Sequence, residues 1–198
     1  MACGGQYEKA LDQLQNSRSG LTQGVLKLQQ RVLIFEMLVL LKKSVHAEDF
    51  DAADHYLEQL RSARTHADTE ITFEITLLEV ELLLRKKDYK TALDIINNKI
   101  KQLKQNPRSD VAHTLTLLVQ KSRIFAAASE PAKGLSICLR AASTAQQLML
   151  VKVMVEAIAA LGAILTALRE FGAARGLLGA GSALVSALFF GPLVLVGD

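Results

Sequence analysis

Five stretches of this chain share one arrangement of residues, and that recurrence constrains the fold more than any single motif. They read GGQYEKALDQL, AEDFDAADHYL, KKDYKTALDII, ASEPAKGLSIC and LREFGAARGLL. Aligned on Tyr7, Phe50, Tyr89, Pro131 and Phe171, they stand 43, 39, 42 and 40 residues apart. Three positions later come Ala10, Ala53, Ala92, Gly134 and Ala174, small in every copy. Seven positions later come Leu14, Leu57, Ile96, Cys138 and Leu178, apolar in every copy. One position earlier stand Gln6, Asp49, Asp88, Glu130 and Glu170, polar and mostly acidic.

Offsets of zero, three and seven fall on one face of an α-helix. A small residue lets a neighbouring helix approach, and the large residues on either side fill its grooves. An acid at the helix start offsets the positive end of the helix dipole. The spacing therefore predicts five short helices near 6–16, 49–64, 88–105, 130–146 and 170–188. Longer apolar segments at 22–43, 69–86, 110–128 and 148–168 alternate with them. RVLIFEMLVLLKK is apolar on nearly every side, as expected of a helix sandwiched between neighbours.

The punctuation agrees. NSRSG at 16–20 and QNPRSD at 105–110 are turn signals; Pro107 ends one helix and Asp110 can cap the next. Lys42, Lys43, Arg85, Lys86 and Lys87 gather at helix C-termini, where cations are favoured. ITFEITLLEVELLL, at 71–84, is rich in β-branched residues and partly alternates, as a strand would. Its length and the Asp68-Thr69 start favour a helix. The expected class is all-α, a right-handed α-solenoid of helix pairs with a period of about 41 residues over 1–178, and an apolar tail at 179–198. Composition fits: half the residues are hydrophobic, with Ala and Leu prominent, no Trp and 3 Pro.

Little in the sequence points to catalysis. His46, His55 and His66 lie nine and eleven residues apart, off any common helical face, so they read as solvated or capping histidines rather than zinc ligands. EDFDAAD offers Glu48, Asp49, Asp51 and Asp54, yet it lacks the central Gly and terminal Glu of a calcium loop. No phosphate-binding glycine loop, dinucleotide fingerprint or nucleophile elbow is present. The expectation is no enzyme, no cofactor and no metal. NNKIKQLKQNPR carries Lys99, Lys101, Lys104 and Arg108 without interleaved aromatics, which reads as a solvated helix end rather than a nucleic-acid site. Net charge is +3. Cys3 and Cys138 are in no metal spacing and suit a reducing compartment, and MACGGQYEKALDQLQ has no apolar core of a signal peptide.

The aromatic, small and bulky triplet resembles the second helix of a tetratricopeptide repeat. The first-helix signature survives only as Leu161-Gly162, with Gly162 nine residues before Phe171. The period is nearer 41 residues than the family's usual length of about 34, which weakens the analogy to its peptide groove. FDAADHYLEQL, DTEITFEITLLEVELLLRKKDYKTALDII and GLSICLRAASTAQQLML together resemble the C-terminal repeat region of the fungal subunit 5 family of the anaphase-promoting complex. The resemblance covers about residues 6–178. It implies a non-catalytic scaffold in a multisubunit ubiquitin ligase of mitosis, nuclear and cytoplasmic, whose partners are other subunits. No catalytic residues carry over.

Two further expectations concern the ends. The chain opens inside a second helix without the first helix that should cover it, so more protein upstream or a partner is expected there. At the other end, GLLGAGSALVSALFFGPLVLVGD has 22 uncharged positions between Arg175 and Asp198, enough for a membrane helix of about 20 residues. Gly176, Gly179, Gly181, Gly191 and Pro192 interrupt it and anchoring residues are thin, so a packed or ill-formed terminus is favoured over a membrane anchor. The alternatives to a scaffold are thus a peptide-binding repeat adaptor and a tail-anchored protein.

Overall fold

The computed structural model describes the backbone over 4–19, 26–43, 50–62, 69–105 and 110–190, and side chains over 9–16, 30–41, 50–62, 69–105 and 110–181. Among the described residues every regular element is an α-helix. The chain divides into two compact units, Met1–Asp88 and Tyr89–Asp198.

The first unit holds α1 (Gly4–Ser19), α2 (Leu26–Lys43), α3 (Asp51–Ser62) and α4 (Thr69–Arg85). Within it α2 packs on α1, α3 and α4, and α3 packs on α4. The 71–84 segment is helical, and its apparent alternation has a simple origin. Ile71, Ile75, Leu78 and Leu82 recur at helical spacing and enter the core with Leu33, Met37, Leu57 and Leu60. Phe73 and Val80 are buried on a second face of the same helix. Two interleaved helical stripes thus mimic a period of two.

The second unit holds α5 (Tyr89–Gln105), α6 (Val111–Ala127), α7 (Pro131–Gln147), α8 (Val151–Ala167) and α9 (Phe171–Phe190). Each packs on the next, and α6 also packs on α8. The core is built of Leu115, Val119, Val153, Leu161 and Ile164 with the small residues Cys138, Ala141, Ala145, Ala157 and Ala160. Asp110 caps α6, its carboxylate accepting from the Ala112 N–H at 2.8 Å.

The turns after α4, α6, α7 and α8 share one construction. Lys87, Ser129, Met149 and Arg169 have φ of 63°, 64°, 54° and 63°, the left-handed region normally given to glycine. The amide that follows each bonds five residues back: Asp88 to Leu83, Glu130 to Phe125, Leu150 to Ala145 and Glu170 to Leu165, at 2.8–2.9 Å. Each αL amide itself bonds three residues back, so both Schellman bonds are present. The satisfied carbonyls offset the roughly 1–2 kcal/mol cost of a side chain in that conformation. Ser129, Met149 and Arg169 are 20 residues apart, the length of one helix plus its turn.

Candidate functional site

The recurring positions land as follows. Ala53, Ala92 and Ala174 are 2%, 0% and 4% exposed, Gly134 is buried, and Ala10 is half-buried. Of the bulky positions, Leu57, Ile96 and Cys138 are buried and Leu14 is half-buried. Phe50, Tyr89 and Pro131 are half-buried. The side chain of Tyr7 lies outside the described set.

The last copy departs from the groove-filling role expected of its large residues. Phe171, the first residue of α9, is 62% exposed. Leu178 is 46% exposed, yet one side of it is engaged. A Cβ built on Gly162 would stand 2.7 Å from its Cδ2, so Leu178 lies directly over that glycine.

Helices α6, α7 and α8 meet closely around Gly134 and Cys138. A Cβ on Gly134 would stand 2.6 Å from the backbone oxygen of Ser122, closer than real contacts allow. Ser122 is fully buried and donates to Val119 O at 2.6 Å. Cys138, one turn after Gly134, donates to Ala157 O of α8 at 3.5 Å. Burial pushes the Cys138 thiol up, with a hydrogen bond to Ser122 opposing, so it stays protonated and serves as a small packing group.

Among the described residues of this unit, two clefts stand out at the surface. One, of about 330 Å³, lies between α6 and α8 and is lined by Val119, Gln120, Arg123, Glu156 and Ala160. Arg123 Nη1 donates to Gln120 Oε1 at 2.6 Å. Glu156 Oε2 is buried there without a hydrogen-bond donor among the described residues. Burial raises the Glu156 pKa, and the neighbouring charges of Lys152 and Arg123 counteract this in part.

The other cleft, of about 270 Å³, lies between α5 and α7 with α6 as its floor. Ile100, Leu115, Leu118 and Ile137 supply an apolar lining, with Lys104 and Arg140 on opposite walls. Lys104 therefore belongs to a cleft, which the reading of NNKIKQLKQNPR as a solvated end did not foresee. Lys101 is exposed, Lys99 is half-buried, and Arg108 lies outside the described residues, as does Pro107.

The remaining candidates are dispersed. His55 Nε2 is 2.7 Å from Gln59 Nε2 and its ring meets Tyr56 edge-on. Asp51 and Asp54 lie in the first turn of α3, and Asp54 pairs with Lys86 at 2.6 Å. Glu48, Asp49, His46, His66, Asp68 and Cys3 lie outside the described residues, and so do the side chains of Lys42 and Lys43. Among the described residues no three His, Cys, Asp or Glu side chains gather as a metal site would require. No helix among them is long and apolar enough to cross a membrane. The tail beyond Gly181, on which an anchor would depend, has no described side chains.

Charge separates the two units sharply. Met1–Asp88 has 11 Lys and Arg against 14 Asp and Glu, net −3. Tyr89–Asp198 has 12 against 6, net +6. No protein-family model, curated protein or solved structure matches this chain.

Proposed function

We propose that the chain is a non-catalytic scaffold, an α-solenoid of degenerate tetratricopeptide-like helix pairs repeating about every 41 residues. Its place is as a subunit of the anaphase-promoting complex, contacting other subunits of that ubiquitin ligase in the nucleus and cytoplasm. The observation that carries this reading is the recurring small position. Ala53, Ala92, Gly134 and Ala174 are all buried in helices of matching phase, which is what tandem helix pairs require. The shared turn at Ser129, Met149 and Arg169 supports the same reading. The resemblance of FDAADHYLEQL and GLSICLRAASTAQQLML to the subunit 5 family supplies the assembly.

The test is native affinity purification of the tagged chain from mitotic cells, followed by sizing. The expected result is a large assembly containing cullin and RING subunits, with no ligase activity when the chain is isolated. Recovery as a free monomer, with no ligase subunit beside it, overturns the reading.

A further inference from the structure

We infer that the α5–α7 cleft is a docking site for an acidic segment of a partner protein, one presenting a large apolar side chain beside one or more carboxylates. The inference concerns the chain's surface and holds whichever assembly the chain serves. Three observations converge on this occupant.

The lining is divided by chemistry along each wall. On α5, Lys104 follows Ile100 by one turn; on α7, Arg140 follows Ile137 by one turn. Leu115 and Leu118 of α6 complete an apolar floor between them. A leucine or phenylalanine side chain set into this floor therefore meets a cation on either wall. The volume of about 270 Å³ suits a large side chain and its flanking backbone rather than a whole helix.

The two cleft cations are not consumed by acids among the described residues. Among the described residues neither Lys104 nor Arg140 belongs to an ion pair, and no acidic side chain lines the cleft. Asp110, at the start of the floor helix, is committed to its capping bond with Ala112. The wider field has the same sign. Helices α5 and α7 bear Lys90, Lys99, Lys101, Lys104, Lys133 and Arg140 against Asp94 within them and Glu130 just before α7, which pairs with Lys133 at 2.5 Å, so the face stays net positive. Such a face steers an anionic partner toward the cleft.

The apolar floor argues for a peptide over nucleic acid. Binding of single strands relies on stacking of bases on aromatic rings, and among the described residues no aromatic residue lines this cleft.

The experiment is fluorescence anisotropy on the full chain, with a short labelled peptide of alternating Asp or Glu and Leu or Phe. Two comparison peptides carry Asn and Gln for the acids, or Ser for the apolar residues. The double variant Lys104→Glu/Arg140→Glu reverses the cleft charges. Lys90→Glu/Lys101→Glu makes the same charge change at exposed positions outside it. All four residues are exposed, and circular dichroism is expected to show unchanged folding.

The expected result is binding of the acidic-apolar peptide that weakens about tenfold in the cleft variant, against less than about threefold in the control variant. Both comparison peptides are expected to bind at least about tenfold more weakly than the parent. Equal losses in the two double variants would reduce the effect to general electrostatics and overturn the proposal. No binding of the parent peptide, or equal binding of a comparison peptide, overturns it as well. A polyuridine oligonucleotide that binds the native chain and loses about tenfold in the cleft variant would reassign the cleft to phosphate.

Discussion

Between Met1 and Asp88 charge crosses from helix to helix. Arg31 of α2 reaches Glu74 of α4 at 3.8 Å, Arg61 of α3 pairs with Glu79 of α4, and Lys86 reaches back to Asp54 of α3 at 2.6 Å. Between Tyr89 and Asp198 the crossings are made by residues with almost no side chain: Gly134 on Ser122, Gly162 under Leu178, and Gly181 against Ile158. The first unit sets helices apart with Leu, Ile, Met and Phe and ties their rims with ions. In the second, Gly134 lets α7 approach the α6 backbone, while Gly162 and Gly181 each receive a side chain from the neighbouring helix. The difference has a functional consequence. Arg31, Arg61 and Lys86 of the first unit are engaged by acids of neighbouring helices, while Lys104 and Arg140 of the α5–α7 cleft are in no ion pair among the described residues.

The contrast is broken most forcefully at Gly134. Replacing it with Leu is expected to destabilise the second unit by about 3 kcal/mol or more, because its Cβ has only the fixed Ser122 carbonyl to displace. Thermal or urea unfolding followed by circular dichroism measures this. Gly162→Ala is the sharpening control. The obstacle there is the movable, half-exposed Leu178 side chain, so the cost is expected to stay below about 1.5 kcal/mol. Similar costs at the two glycines would mean that backbone proximity is not what distinguishes the tight contact.

The turns are expected to respond in the opposite direction. Met149 is 77% exposed with φ of 54°, so its side chain contributes little packing while bearing the αL cost. Met149→Gly is expected to stabilise by about 1 kcal/mol, read as a rise in the unfolding midpoint. A loss of stability would show that the side chain makes contacts worth more than that cost.

In the first unit, Arg61→Ala removes pairs with both Glu79 and Glu58. Both are partly solvated, so the expected loss is about 0.5–1 kcal/mol and is halved or more at molar salt. The same salt jump is expected to leave the Gly134→Leu penalty unchanged.

The smallest effect belongs to Glu156. Its carboxyl pKa is raised by burial, so the folded state holds the proton more tightly than the unfolded chain does. Its stabilising contribution is therefore complete below the ordinary carboxylate pKa and is lost as pH rises through the raised value. Glu156→Gln is expected to be slightly more stable than the native chain at neutral pH, with the advantage vanishing as the pH is lowered. Unfolding midpoints across that range read this directly; an advantage that grows on acidification contradicts the assigned direction.

Much of the architecture could be read from residue order. Helices α5, α7 and α9 begin at Tyr89, Pro131 and Phe171, the residues on which the repeat was aligned, and α3 begins one residue after Phe50. The cap at Asp110 was also legible, since a capping side chain and the helix it caps are neighbours in sequence. The four turns were not. Lys87, Ser129, Met149 and Arg169 carry none of the glycine that announces a left-handed residue. Their conformation is set by the pair of backbone bonds that closes each preceding helix, which joins main-chain groups and needs no glycine.

The same division runs through the candidate site. The sequence determined that this chain is helical and where its small residues recur, because periodicity and capping act over a few residues and need no distant partner. Only the tertiary structure decided that Gly134 meets the Ser122 carbonyl, and that Leu178 covers Gly162. It alone set Lys104 and Arg140 across one apolar floor from helices separated in sequence. Those pairings depend on how closely and at what rotation two helices settle. That is a property of complementary surfaces, and no local pattern carries it.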